Sequence, residues 1–139
     1  MQSMEINGTT LIVGCVSLTI AVWLWWIFHC RAVLARELKV MHVFLPICLF
    51  RGVVPSVKKV YETRLMEAVH ARVEEIMNRD DQVLYAEDMG ADYLLLRPLR
   101  VSAEKARNDF HQLRRALVWY GIFVYEDPSY YMPSELPAA

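Results

Sequence analysis

"AVWLWWIFHCRAVLAR", residues 21–36, decides how the rest of the chain is read. Three tryptophans crowd the end of an apolar run, and His29, Cys30 and Arg31 follow at once. Two chemistries compete for such a stretch: a metal or redox constellation, and the point where a chain leaves a membrane. The flanking residues favour the second. Between Glu5 and Arg31 there is no Asp, Glu, Lys or Arg. As a helix, Leu11–Cys30 covers about 30 Å, the thickness of a bilayer's hydrocarbon. Ten of those residues are Leu, Ile, Val or Phe, and together they favour insertion by roughly 3–6 kcal/mol. Ser17 and Thr19 return their hydroxyls to the helix backbone at little cost.

The residues ahead of the run, "MQSMEINGTT", carry no Lys or Arg, and no small-residue cleavage site follows it. The segment is therefore expected to be a retained anchor and not a cleaved signal. Asn7–Thr9 matches a glycosylation sequon, but it lies against the membrane and is read as a chance match. Residues 31–60 sum to +5, so the positive-inside rule puts the C-terminal part in the cytoplasm or the mitochondrial matrix. Trp23, Trp25 and Trp26 then sit at headgroup level, with Arg31, Arg36 and Lys39 as the cationic flank. Trp25 points away from the side shared by residues 22, 23, 26 and 27, so some of the rings are free to meet a neighbouring helix.

The chain has 139 residues, 55% of them hydrophobic, and a formal net charge of −1. Mean hydropathy is +0.21. Nothing in the total charge points to a nucleic-acid partner. The three cysteines form no CxxC pair, which argues against a secreted disulfide scaffold.

Beyond the anchor, "RAVLARELK" is made of good helix formers and is expected to extend the helix toward residue 39. "VMHVFLPICLF", residues 40–50, is too short to span, and Pro46 disfavours helix at Leu45. It is expected to lie at the interface or against another protein. Ser56 is a plausible cap for an amphipathic helix from Val57 to about Arg79, with Val69 and Val73 in its apolar stripe. A second helix follows Ser102, with Phe110 and Leu113 on its apolar face. Between them, residues 80–101 read as an acidic connector with an extended stretch around Pro98. The tail, 121–139, is rich in Pro and Tyr and is expected to be irregular and to lie over a partner.

The fold class expected is all-α: a short outside N-terminus (1–8), a transmembrane helix (9–30), an apolar segment (40–55), a helical hairpin (56–120) and the tail. Partner contacts are expected at Val69, Val73, Phe110, Leu113, Tyr130 and Tyr131. No catalytic, cofactor-binding or metal-binding residue is assigned. There is no G-x-S-x-G, Walker loop, GxGxxG or HExxH, and no Cys/His cluster at zinc spacing. Asp80, Asp81, Glu87, Asp88 and Asp92 do not follow an EF-hand pattern. A haem ligand at His29 would need a partner subunit to face it.

In general plan the chain resembles the accessory (supernumerary) subunits of mitochondrial respiratory complexes. The resemblance covers the layout and rests on no shared motif, so no functional residue is carried over. It implies a non-catalytic subunit of a membrane complex, contacting other subunits and the bilayer, without cofactor, nucleic acid or small-molecule substrate. The location it implies is the mitochondrial inner membrane, C-terminus in the matrix. A bacterial inner membrane with a cytoplasmic C-terminus is the alternative. Two other functions fit the sequence. One is a tethered adaptor that recruits a soluble partner through the acidic connector. The other is a single-span enzyme or electron carrier using His29, His42 and the acidic block.

Overall fold

A computed structural model describes residues 7–41, 44–52 and 54–133. Among the described residues, three α-helices follow in chain order: α1 over Gly8–Leu38, α2 over Pro55–Asp88 and α3 over Tyr93–Trp119, with a 3-10 turn at Pro128–Tyr131. Among the described residues there is no strand. The fold is all-helical, as the sequence implied. The expected N-terminus 1–8 lies outside the described residues except for Asn7 and Gly8, as do His42 and the last residues of the tail, 134–139.

Helix α1 has two characters. From Gly8 to Trp25 every side chain except that of Trp23 is exposed. Beyond it, Ile27, Cys30, Val33, Leu34, Ala35 and Leu38 are buried. Their spacing of three and four residues makes one helical face. That face packs against Leu65, Val69, Val73 and Ile76 of α2 and against Ala106, Phe110, Leu113 and Leu117 of α3. One helix is therefore both the apolar segment and a wall of the core.

This corrects the expected partner contacts. Val69, Val73, Phe110 and Leu113 are at most 1% exposed, inside the chain's own core. An amphipathic stripe needs an apolar neighbour to leave water, and the extension of α1 supplies it beside α3.

All three helices end alike. Backbone N–H groups of Lys39 and Val40 donate to the carbonyls of Arg36 and Ala35, those of Gly90 and Ala91 to Glu87 and Ala86, and those of Gly121 and Ile122 to Val118 and Leu117. Each pair closes a left-handed C-terminal turn. Glycine fills it at Gly90 (φ 72°) and Gly121 (φ 84°), whereas Lys39 (φ 54°) takes the same conformation with a side chain.

The helix boundaries differ from those expected. α2 begins at Pro55, where a missing N–H costs nothing, and not after Ser56. It runs on to Asp88, and α3 begins at Tyr93 with Pro98 inside it, so the connector shrinks to Met89–Asp92. Proline bars a central strand, but in the second turn of a helix it removes a single bond, that to the Leu94 carbonyl. The flanking Leu and Arg residues, strong helix formers, carry the helix through it.

The apolar segment after α1 folds back over its own chain. Leu45 and Cys48 are buried, whereas Phe44, Ile47, Leu49 and Phe50 are exposed. Arg31 Nε donates to the Leu45 carbonyl (3.0 Å), Trp119 Nε1 to that of Cys48 (2.8 Å) and Tyr120 Oη to that of Pro46 (2.9 Å). Burial pushes the Tyr120 phenol up to about 12, so it remains a donor across the neutral range. The N–H groups of Gly52 and Val54 donate to the carbonyls of Trp119 and Tyr120. The segment thus returns the chain to the level of Trp23, whose ring lies 5.7 Å from that of Phe50. From there α2 runs parallel to α1, and α3 comes back antiparallel.

One guanidinium ties the three helices together. Arg72 on α2 pairs with Glu37 of α1 (2.5 Å) and with Glu75 (3.1 Å), and lies 3.9 Å from Asp109 of α3. The Glu37 side chain is only 9% exposed, so removing its partner strands a charge. Arg72→Ala is expected to destabilise the domain by about 1–3 kcal/mol. Thermal unfolding in mild detergent measures this, and adding Glu37→Gln should restore part of the loss.

Candidate interaction surfaces

The expected membrane-interface residues divide by what they touch. Trp25 is exposed and its ring stacks on His29 at 5.2 Å. Trp26 is half-buried and meets Trp119 of α3 edge-on at 6.3 Å. The neighbouring helix foreseen for these rings belongs to the same chain, and it is Trp26, not Trp25, that meets it. Arg36 and Lys39 are exposed, whereas Arg31 is half-buried and holds the folded-back segment through the Leu45 carbonyl.

Where α1 meets the end of α3, two concavities adjoin. One, of about 460 Å³, is lined by Leu18, Thr19, Val22, Trp23, Trp26 and Trp119, nearly all apolar surface. The other, of about 410 Å³, shares Trp26 and Trp119 and adds Arg51, Arg114 and Arg115. Arg114 Nε donates to the Val124 carbonyl (3.1 Å). Among the described residues, none of the three guanidiniums forms an ion pair; those formed by arginine are at Arg72, Arg100 and Arg107. In the sequence, Arg114 and Arg115 stand out only as charges within a helical stretch. Trp119 one turn beyond Arg115 was the available signal.

The opposite end of the molecule presents a different surface. The last fully buried residue of α2 is Ile76 and the first of α3 is Ala103. From there α2 continues to Asp88, about 18 Å further. This arm has only two helices, because α1 has already ended. Its inner seam, Val83, Ala86, Leu96 and Leu99, is half-buried. Around it Leu84, Tyr85, Met89, Tyr93, Leu94 and Leu95 are exposed, Leu94 to 81%. The acidic residues beside them face basic residues across the hairpin: Glu87 pairs with Arg100 (2.9 Å) and Asp80 with Arg107 (2.5 Å). Both pairs are largely exposed and contribute little to stability.

The described part of the tail lies on its own chain. Ile122 and Val124 are buried, and Tyr131 sets its ring edge-on to His70 at 5.6 Å. The Tyr125 N–H donates to Tyr131 Oη (2.9 Å). Asp127 accepts from the Ser129 N–H (2.9 Å), which holds its carboxylate below the usual range. Of the two tyrosines expected to contact a partner, Tyr131 is thus turned inward, while Tyr130 stays exposed. Among the described residues, no three His, Cys, Asp or Glu side chains converge as metal ligands do.

No protein-family model, curated protein or solved structure matches the chain.

Proposed function

We propose that this chain is a non-catalytic, membrane-anchored subunit that stabilises or helps assemble a larger membrane complex, gripping a partner protein with its helical arm. The observation that carries this reading is the apolar tip. Six large hydrophobic side chains stand exposed at the end of the molecule remote from the apolar half of α1. Soluble surfaces rarely expose contiguous apolar patches of this kind unless they are contact sites. Two aromatic and three aliphatic anchors beside Met89 have the composition of an interface core. Helix α1 is long and apolar enough to cross a bilayer and supplies the anchor, and the basic residues from Arg31 onward set the orientation.

In this reading the complex is an energy-transducing one, of the kind found in the respiratory chain, and the membrane is the mitochondrial inner membrane with the arm in the matrix. General layout supports that assignment.

Replacing Leu84, Tyr85, Leu94 and Leu95 by serine tests the role of the arm. All four are exposed, so the domain should melt as before. Loss of even one central contact is expected to weaken partner binding by about 2 kcal/mol, some thirtyfold. After mild detergent extraction the wild type should migrate with a mass well above its own, and the variant as a free chain. A variant that still migrates in the assembly, or a wild type that migrates alone, would end the proposal.

A further inference from the structure

We propose that the paired concavities at the α1–α3 junction hold one anionic glycerophospholipid, with its phosphate on Arg51, Arg114 and Arg115 and an acyl chain along α1. This rests on the reading of α1 as a membrane anchor, because the groove must face lipid.

Three observations meet here. The groove walls at Leu18, Val22, Trp23 and Trp26 follow one face of α1 over eight residues, about 12 Å along the axis. That is the direction an acyl chain takes beside a spanning helix. At its domain-side end the groove opens, past the shared Trp26 and Trp119, onto three guanidiniums. These have no carboxylate partner among the described residues. Guanidinium is the side chain best shaped for a phosphate, offering a planar fork of donors. The tryptophans fix the depth, since indole prefers the headgroup level. Phosphate and acyl positions are therefore in register with a lipid standing in the same leaflet. A phospholipid without net charge leaves the net charge of the cluster at +3, whereas one with a single net negative charge lowers it to +2 and adds no cation of its own beside the guanidiniums.

Native mass spectrometry of the full chain in detergent, with equal phosphatidylglycerol and phosphatidylcholine, reads the preference directly. Phosphatidylglycerol adducts should exceed phosphatidylcholine adducts by about tenfold. The variant R51Q/R115Q alters two exposed residues and leaves the Arg114–Val124 bond intact. It should bring the ratio near one with the thermal transition unchanged. A second variant, Val22→Trp, fills the groove but keeps all three arginines, and should lose the phosphatidylglycerol adduct several-fold. Millimolar inorganic phosphate should not displace the lipid. Equal adducts in the wild type, an unchanged ratio in R51Q/R115Q, full retention in Val22→Trp, or displacement by phosphate would each overturn the site. Flotation with vesicles separates the two readings. A chain that floats with neither vesicle composition refutes the anchor. One that floats with both yet shows no preference refutes the lipid site alone.

Discussion

Removing residues 1–38 is expected to unfold everything that follows, whereas removing residues 1–22 is expected to leave a folded domain. The difference lies in what each cut takes away. Residues 8–22 are all exposed and contribute nothing to the core. Residues 27–38 contribute Ile27, Val33, Leu34 and Leu38, each at most 4% exposed, together with Cys30 and Ala35. At about 1.5–3 kcal/mol per large buried side chain, the four large ones alone account for roughly 6–12 kcal/mol. Whole domains of this size are stable by about 5–15 kcal/mol. The longer truncation also strips the cover from Val69, Val73 and Phe110 and the partner from Arg72. Circular dichroism on heating distinguishes the two chains: a cooperative transition for 23–139, and a featureless slope for 39–139. A cooperative transition in the shorter chain would mean that α2 and α3 form a domain without α1.

Leu34→Ala tests the same wall with a single residue. Leu34 is 0% exposed and belongs to the cluster that joins all three helices. Its truncation is expected to cost about 2–5 kcal/mol, the range for a buried leucine whose surroundings do not collapse into the space. Leu18→Ala, on the same helix but 67% exposed, should leave the domain's transition where it was. Equal effects at the two positions would show that α1 is uniform along its length, contrary to the packing described.

Much of this architecture is legible in the residues. An uncharged run as long as a bilayer is thick, followed by good helix formers, makes α1 readable to its end. The stripes through Val69 and Phe110 announce two amphipathic helices. What fills the space beside them is harder to read. Cys30, Val33, Leu34 and Leu38 carry the periodicity of a buried face, but Cys30 closes the expected anchor and the other three pass for its continuation. The periodicity shows that a face is apolar, not whether lipid, a partner or the chain's own helices cover it. For the same reason Val69, Val73, Phe110 and Leu113 read as contacts for another protein. The connector misleads in another way. Asp80, Asp81, Gly90 and Pro98 suggest a loop, yet the helix propensity of the residues around them keeps most of it helical. The apolar tip at Leu84–Leu95 is hidden by that misreading. The arginine cluster is hidden by distance, because Arg51 and Arg115 lie far apart in sequence and meet only when the segment after α1 folds back.

The apolar segment and the first core helix are one continuous element, α1 over Gly8–Leu38. Hydrogen exchange on the full chain in lipid nanodiscs tests that continuity most directly, read at residues 33–38, where Val33, Leu34, Ala35 and Leu38 are buried in the domain core. Their amides should exchange in the same cooperative opening as those of Leu65–Ile76 and Ala106–Leu117. Free exchange at 33–38 while those stretches of α2 and α3 stay protected would contradict it.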